Sequence, residues 1–492
     1  NGNLVYSYPI VSRPGRGGFG VDLSLYYNGK IWERNANGMY VYERRSPVGL
    51  GWYVGFPRLK QGNSTYAIVF PDGSSHEIQQ YDNGKWKSVD STYILLDVPT
   101  KTATLKGGIK LVFGTTSGST SYLTEMKDTN GNKITATYSA TGQLDEVRDT
   151  LGLIAKFYYT GTYPSRYVDY IETFGTVHTE FHFHFSPTNG IPTPNFSGPK
   201  TFYSSEEKHL SAVRMLTDIP IHDPDSIGQE FTYGYVGEIT AIDYFYQQFS
   251  HREYKRIADF TFGMQSFAVP TYTTVQVWVL TSKAEYISAT EDYTTSLAYS
   301  FNGNGSNPTK TAVTDVRGIT DYNFSASIYH TRSWSDGLIS NVQRKDLGQV
   351  IVYKTEATDW EQDVPSISYK VNPRPRRQTT TLDNGQSYKT ELSYVTDGTG
   401  NVRQSTLYKF GNTQVLGSAT TFYLHESNSA YATKNMTNLP VSVSITDGNG
   451  TEVARAEYGY DEYPLLMNPP TYYHDTAYDN PSITTRGYPT SI

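Results

Sequence analysis

Three glycines near the start of the chain have the spacing of a phosphate-binding loop. Gly15, Gly17 and Gly20 satisfy G-x-G-x-x-G, a pattern that binds a pyrophosphate where the last glycine opens a helix. The next residues, Val21 to Tyr27, instead alternate between apolar and polar side chains with a period of two. That period predicts a strand. The sequence therefore favours a glycine-rich turn over a dinucleotide site, and it indicates no cofactor.

Three histidines in another alternating segment have a spacing that suits zinc. His178, His182 and His184 share one face of a predicted strand, and phenylalanines occupy the other face. Imidazoles two residues apart can bind one ion, but a tetrahedral site needs further ligands that the sequence does not identify. The alternative, which we favour, is an amphipathic strand whose histidines face water.

Asp128, Asn130 and Asn132 imitate the start of a calcium loop. The sixth position is Lys133 where such loops have glycine, and the twelfth is Ser139 where they have glutamate. The same aspartate also recurs with a sequence repeat described below. We therefore interpret it as a turn-forming residue.

Motifs of hydrolytic enzymes are absent or lack a supporting context. Neither G-x-S-x-G nor H-E-x-x-H occurs, and the 48 Asp and Glu residues are too many for the sequence to select a glycosidase pair. Asp72, Ser74 and His76 are close in sequence, but they fall on a predicted hairpin turn without an evident oxyanion hole. We expect no enzymatic activity.

Exposed aromatic residues can stack on sugars, and Trp32, Trp86 and Trp334 are the candidates. The alternative is that these rings pack within the sheet, where aromatic burial stabilises wide sheets. We favour packing.

The composition points to a large β protein with much solvated sheet. The 492 residues include 43 Tyr and 42 Gly, with 37% hydrophobic and 18% charged residues. Tyrosine suits pleated surfaces because its ring packs while its hydroxyl reaches water. The absence of Cys excludes disulfides and thiolate metal sites.

Charge and hydropathy exclude two classes of partner. The net charge of -7 argues against a nucleic-acid binder, and the local basic run Arg374, Arg376 and Arg377 is interpreted as a solvated loop. No stretch approaches the roughly 20 apolar residues that a membrane helix requires, so we expect no membrane insertion. The chain begins at Asn1 without a methionine or a signal segment, from which we expect a processed or truncated protein.

Hairpin signals recur throughout the chain. Asn-Gly or Asp-Gly pairs separate short strand-like runs, and such pairs favour type I′ turns with positive φ at both central residues. They occur at residues 72–73, 83–84, 130–131, 336–337, 384–385, 397–398 and 447–448. The segment Glu206 to Leu216 fits a helix or a strand equally well.

A period of 21 residues organises the clearest part of the sequence. Asp128, Gly131 and Tyr138 return as Asp149, Gly152 and Tyr159. Weaker copies occur at 172–185, 341–354, 381–394 and 446–461. Each copy has an aspartate, a turn centred on glycine and an alternating strand that ends in tyrosine. One such hairpin is marginal alone, so it must stack on its neighbours.

The chain resembles the RHS or YD (tyrosine-aspartate) repeat proteins. The resemblance rests on the repeats at 128–159, on the leading segment "NGNLVYSYPIVSRPGRGGFGVDLSLYYNG" with "GLGWYVGFPRL" and "FPDGSSHEI", and on the tail from Tyr460 to Ile492, in which an Arg-Gly pair leads into a strand. It implies hairpins wound in a spiral sheet, a β-cocoon or shell that encloses a polypeptide, often the protein's own C-terminal toxin.

The resemblance divides the chain into four segments. They are a leading segment of β-hairpins at 1–119, clear YD repeats at 120–185, degenerate or inserted β repeats at 186–310 with a Pro-rich loop at Ser186 to Lys200, and further YD-like repeats at 311–492 that stop within a repeat. The paired Asp-Pro-x-Gly motifs of self-cleaving family members are absent, since Asp223-Pro224-Asp225 lacks the glycine. Because of this departure from the family pattern, the resemblance does not decide whether this chain encloses a cargo.

Two hypotheses follow. The first is a non-enzymatic structural β-shell segment of a secreted or cell-surface protein, with its own or a fused polypeptide as cargo. The second is an extracellular adhesive or filament-forming β protein whose partners are neighbouring copies or surface glycans. A polysaccharide-acting enzyme is the third and least favoured reading.

Overall fold

The computed structural model describes residues 3–30, 32–34, 40–42, 46–81, 84–161, 166–174, 177–185, 208–216, 226–233, 238–248, 251–269, 272–288, 292–301, 309–325, 333–463, 474–480 and 482–492. Strands make up 59% of the chain and helices 4%. Successive strands pair antiparallel, as β-hairpins do. The prediction of an all-β protein of stacked hairpins with almost no helix is confirmed.

The first part of the chain forms short strands. They are β1 (Val5–Arg13), β2 (Val21–Asn28), β3 (Trp32–Arg34), β4 (Tyr40–Tyr42), β5 (Trp52–Val54), β6 (Arg58–Gln61), β7 (Tyr66–Val69), β8 (Ser75–Tyr81), β9 (Lys85–Ser88), β10 (Leu95–Asp97), β11 (Thr102–Thr104), β12 (Lys110–Val112), β13 (Thr115–Ser117), β14 (Thr120–Tyr122) and β15 (Glu125–Lys127).

Longer strands follow. They are β16 (Lys133–Tyr138), β17 (Leu144–Asp149), β18 (Gly152–Thr160), β19 (Tyr167–Thr173), β20 (Val177–Phe185), β21 (Lys208–Leu216), β22 (Ser226–Tyr233), β23 (Ile239–Gln248), β24 (His251–Val269), β25 (Tyr272–Tyr286), β26 (Asp292–Ser300), β27 (Lys310–Asp315), β28 (Gly318–Phe324), β29 (Ile339–Lys345) and β30 (Val352–Glu361).

The last part of the chain adds the helices. It contains β31 (Arg374–Leu382), β32 (Ser387–Tyr394), β33 (Val402–Tyr408), β34 (Val415–Tyr423), α1 (Leu424–Ser427), α2 (Ser429–Thr433), β35 (Pro440–Asp447), β36 (Glu452–Glu457), β37 (Gly459–Tyr460) and β38 (Pro489–Ser491). Short 3-10 helices lie at Arg16–Gly18 and Thr476–Asp479. None of the helices within the described ranges is long and apolar enough to cross a membrane.

The chain divides into two compact units. The first unit comprises Asn1–Pro57, Val69–Ser74 and Ile134–Ala298, and the second comprises Arg58–Ile68, Ser75–Lys133 and Tyr299–Ile492. The ambiguous segment Glu206 to Leu216 contributes strand β21 to the first unit. The Pro-rich loop at Ser186 to Lys200 lies outside the described residues.

The glycine-rich segment of the first unit is a tight turn that leads into strand β2, as the alternation predicts. Gly17 has φ of 64° inside the 3-10 helix Arg16–Gly18. Gly15 and Gly20 are needed for close approach, because a Cβ atom would lie 2.0 Å from the Phe19 carbonyl oxygen and 2.1 Å from the Arg13 carbonyl oxygen, respectively. The dinucleotide pattern therefore reflects turn geometry.

The first unit has a packed aromatic core. One face of β2 is at most 1% exposed, and its residues are Val21, Leu23, Leu25 and Tyr27. Trp52 is fully buried, with its ring centroid 5.2 Å from that of Tyr27 and 4.7 Å from that of Phe231. Its Nε1–H donates to the Tyr233 hydroxyl at 2.8 Å, so the one polar atom of this ring is satisfied within the core.

The hairpins predicted at Asn-Gly pairs are present, but the predicted turn type is wrong. The Asp128 carbonyl accepts from the Gly131 amide at 3.4 Å, and the Asp128 amide donates to the Asn132 carbonyl at 3.0 Å. Positive φ falls on Gly131, at 86°, and not on Asn130. This is the type I turn with a left-handed glycine bulge, which needs only one residue of positive φ, whereas type I′ needs two.

A second regular feature is a β-bulge opposite the aromatic residue that ends many strands. The pairing register shifts at Tyr138, Tyr159 and Tyr394 of the repeat. It shifts in the same way at Tyr233, Phe324, Trp360, Tyr408 and Tyr423. In each case the following strand carries the extra residue. The strict alternation expected from the sequence is therefore interrupted in the following strand, opposite each aromatic residue.

Five of these eight aromatic residues donate a hydrogen bond to a backbone carbonyl of the preceding strand. We call each such bond an aromatic link. Tyr408 donates instead to the Glu391 carboxylate, and Phe324 has no polar hydrogen to donate. The Trp360 Nε1–H donates to the Ile339 carbonyl at 2.8 Å, and the Tyr423 hydroxyl donates to the Val402 carbonyl at 2.9 Å. The other links are Tyr159 to Leu144, Tyr233 to Leu210, and Tyr394 to Pro375.

The links are chained from one strand to the next. Pro375 stands opposite Trp360 at one bulge and accepts from Tyr394. Val402 stands opposite Tyr394 at the next bulge and accepts from Tyr423. A bulge disturbs the regular ladder, and the aromatic donor gives a partner to a carbonyl at that irregular position. Each link therefore closes the open end of one hairpin, and the bulge pairing places it beside the link of the neighbouring hairpin.

The sheet of the second unit lacks a packed core along strands β29–β36. Every residue of these strands is described, and none is buried. One row of paired residues crosses six strands as Asp359, Arg377, Glu391, Thr406, Ser418 and Thr446. No residue of these strands is fully withdrawn from water, so cross-strand pairs and aromatic links contribute to the stability of this part of the sheet.

The basic run predicted as a solvated loop lies in strand β31, so that prediction is wrong. Arg374 forms ion pairs with Glu361 at 2.8 Å and Asp363 at 2.5 Å. Arg377 forms an ion pair with Asp359 of the adjacent strand. The carboxylates of neighbouring segments offset the positive charge of Arg374 and Arg377. The order of residues in the sequence does not show these ion pairs.

A pair of glycine substitutions separates backbone strain from close packing. Gly131 and Gly385 have φ of 86° and 79°, but a Cβ atom on Gly131 would lie 2.6 Å from Tyr478 Cβ, whereas one on Gly385 meets nothing within 4 Å. We expect Gly385→Ala to cost about 1 kcal/mol and Gly131→Ala about 1–3 kcal/mol more. Urea unfolding measures both, and equal costs would contradict the close packing at Gly131.

The aromatic link of Tyr394 has a measurable dependence on pH. Burial raises the pKa of Tyr394 from 10.0 to about 12, so its contribution to folding is complete below about pH 10 and is lost as pH rises toward 12. We expect Tyr394→Phe to cost about 1 kcal/mol at pH 8, and this cost to shrink between pH 10 and 12. The control is Tyr369→Phe at a side chain that is 53% exposed, where denaturant midpoints should not change.

Candidate functional site

The sequence-predicted histidines and tryptophans fall on strands and turns at separate places. His178, His182 and His184 lie in β20, and their side chains, like that of Trp32 in β3, lie outside the described residues. Trp86 is half-buried and packs edge-to-face on Tyr66, with ring centroids 5.1 Å apart. Trp334 is half-buried in a turn. The zinc and glycan candidates remain predictions.

Asp72, Ser74 and His76 take different partners. Asp72 Oδ1 accepts from both the amide and the hydroxyl of Ser74 at 2.8 Å. His76 Nδ1 instead lies 2.6 Å from Asp90 Oδ2. The carboxylate next to the serine therefore does not orient the histidine, which a triad requires.

The repeat aspartates act on the backbone. Asp128 Oδ1 accepts from the amides of Asn130 at 2.9 Å and Asn132 at 2.8 Å, and Oδ2 accepts from Asn132 Nδ2 at 2.8 Å. Asp149 is fully buried, and its Oδ1 accepts from the Leu151 amide at 2.7 Å. No group of three or more His, Cys, Asp or Glu suited to a metal occurs in the part of the chain that is described.

The tail of the chain packs on the first of these turns. Lys127 Nζ lies 2.5 Å from Asp475 Oδ2, and the Asp475 amide donates to the Gly131 carbonyl at 3.0 Å. Burial opposes the charge of Lys127, but its hydrogen bonds to Asp475 and Glu125 outweigh burial and raise the pKa of this lysine. The turn at Asp128 is thus fixed by residues more than 300 positions away along the chain.

The Arg-Gly pair of the tail surrounds the aspartate of a Tyr-Asp pair. The Asp461 carboxylate accepts from three successive amides, those of Arg486 at 2.8 Å, Gly487 at 2.7 Å and Tyr488 at 3.0 Å. The Tyr431 hydroxyl also donates to it at 2.8 Å. These contacts satisfy the carboxylate within the fold and lead the chain into β38, which pairs with β37.

A cleft of about 450 Å³ lies within the second unit. It forms where the connection between β34 and β35, which contains α1 and α2, approaches β9 and the turn between β32 and β33. Its lining residues are Lys85, Lys87, Tyr93, Leu95, Val395, Thr396, Asp397, Gly398, Thr399, His425, Glu426, Ala432, Asn435 and Thr437. We call it the 425 cleft.

His425 and Asp397 form the polar centre of the 425 cleft. His425 Nε2 lies 2.6 Å from Asp397 Oδ2, and the imidazole is 4% exposed. Burial raises the pKa of Asp397, but hydrogen bonds from Thr399 and His425 outweigh burial and hold this pKa below its ordinary value. His425 Nδ1 is buried without a hydrogen-bond partner among the described residues.

The walls of the 425 cleft are rigidly positioned. Asn435 Nδ2 donates to the Tyr93 carbonyl at 3.2 Å and to the Thr104 carbonyl at 3.1 Å. Tyr93 and Asn435 have positive φ of 55° and 56°, a conformation that non-glycine residues rarely adopt and that clusters at functional sites. A Cβ atom on Gly400 would lie 2.0 Å from the Tyr93 ring. The absence of a side chain at Gly400 therefore leaves the space that the Tyr93 ring occupies.

Sequence reasoning missed this site. The one available signal is that residues 424–439 interrupt the pattern of short turns with an insertion that contains both α-helices of the described chain. His425 itself follows a repeat tyrosine by two positions and matches no motif. Its partners come from segments far apart in the sequence, which only the fold brings together.

Comparisons with known proteins give low similarity. No protein-family model matches the chain, and no curated protein matches it. Solved structures with similarity include TcdB2-TccC3, at 7% identity and a TM-score of 0.26 over 93% of this chain and 41% of that one. The same complex without its hypervariable C-terminal region gives 9% identity and a TM-score of 0.27 over 93% and 40% of the two chains.

A porin-like protein from Bacteroides uniformis gives 11% identity and a TM-score of 0.19 over 51% of this chain and 81% of that one. TM-scores of this size do not establish a shared fold. The chain spans about two fifths of the length of the TcdB2-TccC3 chains that it matches.

A substitution at Asp397 tests the polar centre. Asp397→Asn weakens the contact to buried His425, so we expect a cost of about 1–2 kcal/mol and faster amide exchange in residues 424–437. Since the pKa of Asp397 is lowered from 3.8, its contribution in the wild type is present above about pH 4 and is lost as pH falls further. Asp383→Asn at an exposed position is the control. Unchanged exchange in 424–437 would show that the pair does not hold the insertion.

Proposed function

We propose that this chain is a structural, non-enzymatic wall segment of a secreted or cell-surface protein of the RHS/YD-repeat type. It encloses or presents a polypeptide cargo such as a C-terminal toxin. The observation that carries the proposal is the absence of buried residues along strands β29–β36.

A sheet that is part of an ordinary globular domain buries one face against another layer. The sheet formed by β29–β36 has water-accessible side chains throughout, and its stability comes from within the layer. A wall that separates solvent from an interior must be stable as a single layer, because each of its faces meets water or cargo. The chained aromatic links support the same reading, since they stabilise a sheet without a second layer.

The polar residues of the described chain support a non-enzymatic role. Asp128, Asp149 and Asp461 accept hydrogen bonds from the backbone. Tyr159 and Tyr394 donate to carbonyls of the preceding strands. These side chains hold the hairpins together. The residues that recur in the repeat therefore make hydrogen bonds that stabilise the fold.

An adhesive or filament-forming protein is the second candidate, and the exposure of β36 favours it. Five of the six residues of Glu452–Glu457 are exposed, and Val453 is 62% exposed. Exposed apolar side chains can contact a neighbouring copy. Arg455, however, lies between Glu452 at 3.6 Å and Glu457 at 2.9 Å, and charged side chains on a strand discourage such contact.

Protease protection tests the wall. A disordered reporter peptide appended after Ile492 should resist proteinase K if the chain encloses it, and electron micrographs should show discrete hollow particles. Tyr394→Ala with Tyr423→Ala, which removes two chained links, should abolish protection, whereas Tyr369→Ala should retain it. A reporter digested as fast as the free peptide would overturn enclosure, and filaments would favour the second candidate.

A further inference from the structure

Three Asn-Gly pairs in the described part of the second unit occupy the same place in the same kind of turn. Asn130, Asn384 and Asn449 each precede a glycine, and the φ angles of these glycines are 86°, 79° and 83°. In each turn the glycine amide donates to the carbonyl three residues earlier, at 3.4, 3.0 and 3.1 Å. The backbone is therefore nearly the same at the three asparagines, and what differs is the surroundings of their side chains.

An asparagine that is followed by glycine can react with its own backbone. The glycine amide nitrogen, after losing its proton to a base in the solvent, attacks the side-chain carbon Cγ of the asparagine. A C–N bond forms, the Cγ–Nδ2 bond breaks, and the Nδ2 group takes up a proton and leaves as ammonia. Water then opens the cyclic imide to aspartate or isoaspartate. Glycine favours this ring closure because it has no side chain, and the turn must open locally for the two atoms to meet.

The tail prevents such opening at Asn130. His474 Nε2 lies 3.0 Å from the Asn130 carbonyl oxygen, and the Asp475 amide donates to the Gly131 carbonyl at 3.0 Å. A Cβ atom on Gly131 would lie 2.6 Å from Tyr478 Cβ, and Asn130 Oδ1 is buried. This turn opens only after the tail has left it, so the structure opposes ring closure there.

The side chain of Asn384 is exposed but restrained. Its Oδ1 accepts from the Gln386 amide at 3.0 Å, and its Nδ2 donates to Gln386 Oε1 at 3.2 Å. Both hydrogen bonds must break before Cγ can meet the nitrogen of Gly385. We therefore expect a slower reaction at Asn384 than at an asparagine whose side chain is unrestrained.

The side chain of Asn449 has neither kind of restraint. It is exposed, and it makes no hydrogen bond among the described residues. Its backbone amide donates to Asp447 Oδ1 at 2.9 Å, a contact that leaves Cγ free to move. A Cβ atom on Gly450 would meet nothing within 4 Å, so no other segment packs on this glycine.

A fourth described pair, Asn28-Gly29 of the first unit, is protected by burial. Asn28 is 7% exposed. Its Oδ1 accepts from Asn3 Nδ2 at 2.9 Å and from the Lys30 amide at 3.0 Å, and its Nδ2 donates to the Asp72 carbonyl at 3.2 Å. Both polar atoms of this side chain are engaged, which opposes reaction there.

We propose that Asn449 is a site of spontaneous deamidation, which converts it to aspartate or isoaspartate through a cyclic imide with Gly450. The product adds a carboxylate to a hairpin that already carries Asp447, Glu452 and Glu457. Isoaspartate also inserts one carbon into the backbone of the turn, so this hairpin gains negative charge and loosens as the protein ages. The reaction is independent of the proposed wall function.

Peptide mapping by mass spectrometry, after incubation of the full chain in mildly alkaline buffer, tests the proposal. Among the three turns we expect Asn449 to deamidate first, Asn384 about threefold more slowly and Asn130 about tenfold more slowly. In concentrated urea the three rates should converge, because each asparagine is followed by glycine and only the fold distinguishes them. Similar rates in the folded protein, or no reaction at Asn449 while the unfolded chain reacts, would overturn the proposal.

Two variants test the origin of the selectivity. His474→Ala with Asp475→Ala removes the contacts of the tail with Asn130 and Gly131, so the rate at Asn130 should rise toward that at Asn449, whose own rate should not change. A denaturant midpoint checks that this variant is folded. Asn449→Gln should remove deamidation from its peptide and leave Asn384 as in the wild type. An unchanged rate at Asn130 in the folded double variant would overturn the assignment of its protection to the tail.

Discussion

The structure depends on a hydrogen bond between an aromatic side chain and a backbone carbonyl one strand away. Trp360, Tyr394 and Tyr423 each stand opposite a β-bulge in the following strand. Each donates to a carbonyl of the preceding strand, and that carbonyl lies at the bulge which the preceding strand forms with the strand before it. Each link therefore fixes the register of two successive pairings. The bond requires a polar hydrogen, so it forms at tyrosine and tryptophan but not at Phe324, which ends β28 opposite the same kind of bulge.

This interaction allows two kinds of sheet in one chain. In the first unit, Trp52 and its neighbours are buried, and hydrophobic contact adds to the links. Along β29–β36 no residue is buried, and ion pairs such as Arg377 with Asp359 lie on an accessible surface. Such pairs contribute little singly, so the ladder, its bulges and the aromatic links set the stability of this part.

The regular hairpins and the irregular insertion at 424–439 differ in what their polar side chains contact. The hairpins use their aspartates and tyrosines to hold the backbone by hydrogen bonds. The insertion at 424–439 brings His425 to Asp397 and encloses a charged cleft beside β9. The strained backbone at Tyr93 and Asn435 lies at this cleft. Where the repeat is interrupted, the chain forms this cleft.

The sequence by itself determined the all-β class, the strand after Gly20 and the positions of many hairpin turns, because alternation and Gly-containing turns are local properties. It did not determine the turn type at Asn130-Gly131, the ion pairs of Arg374 and Arg377, or the cleft at His425. These depend on residues that are not neighbours in sequence, such as Lys127 with Asp475 and His425 with Asp397. Only tertiary structure decides which distant side chains meet, since local periodicity contains no information on that pairing.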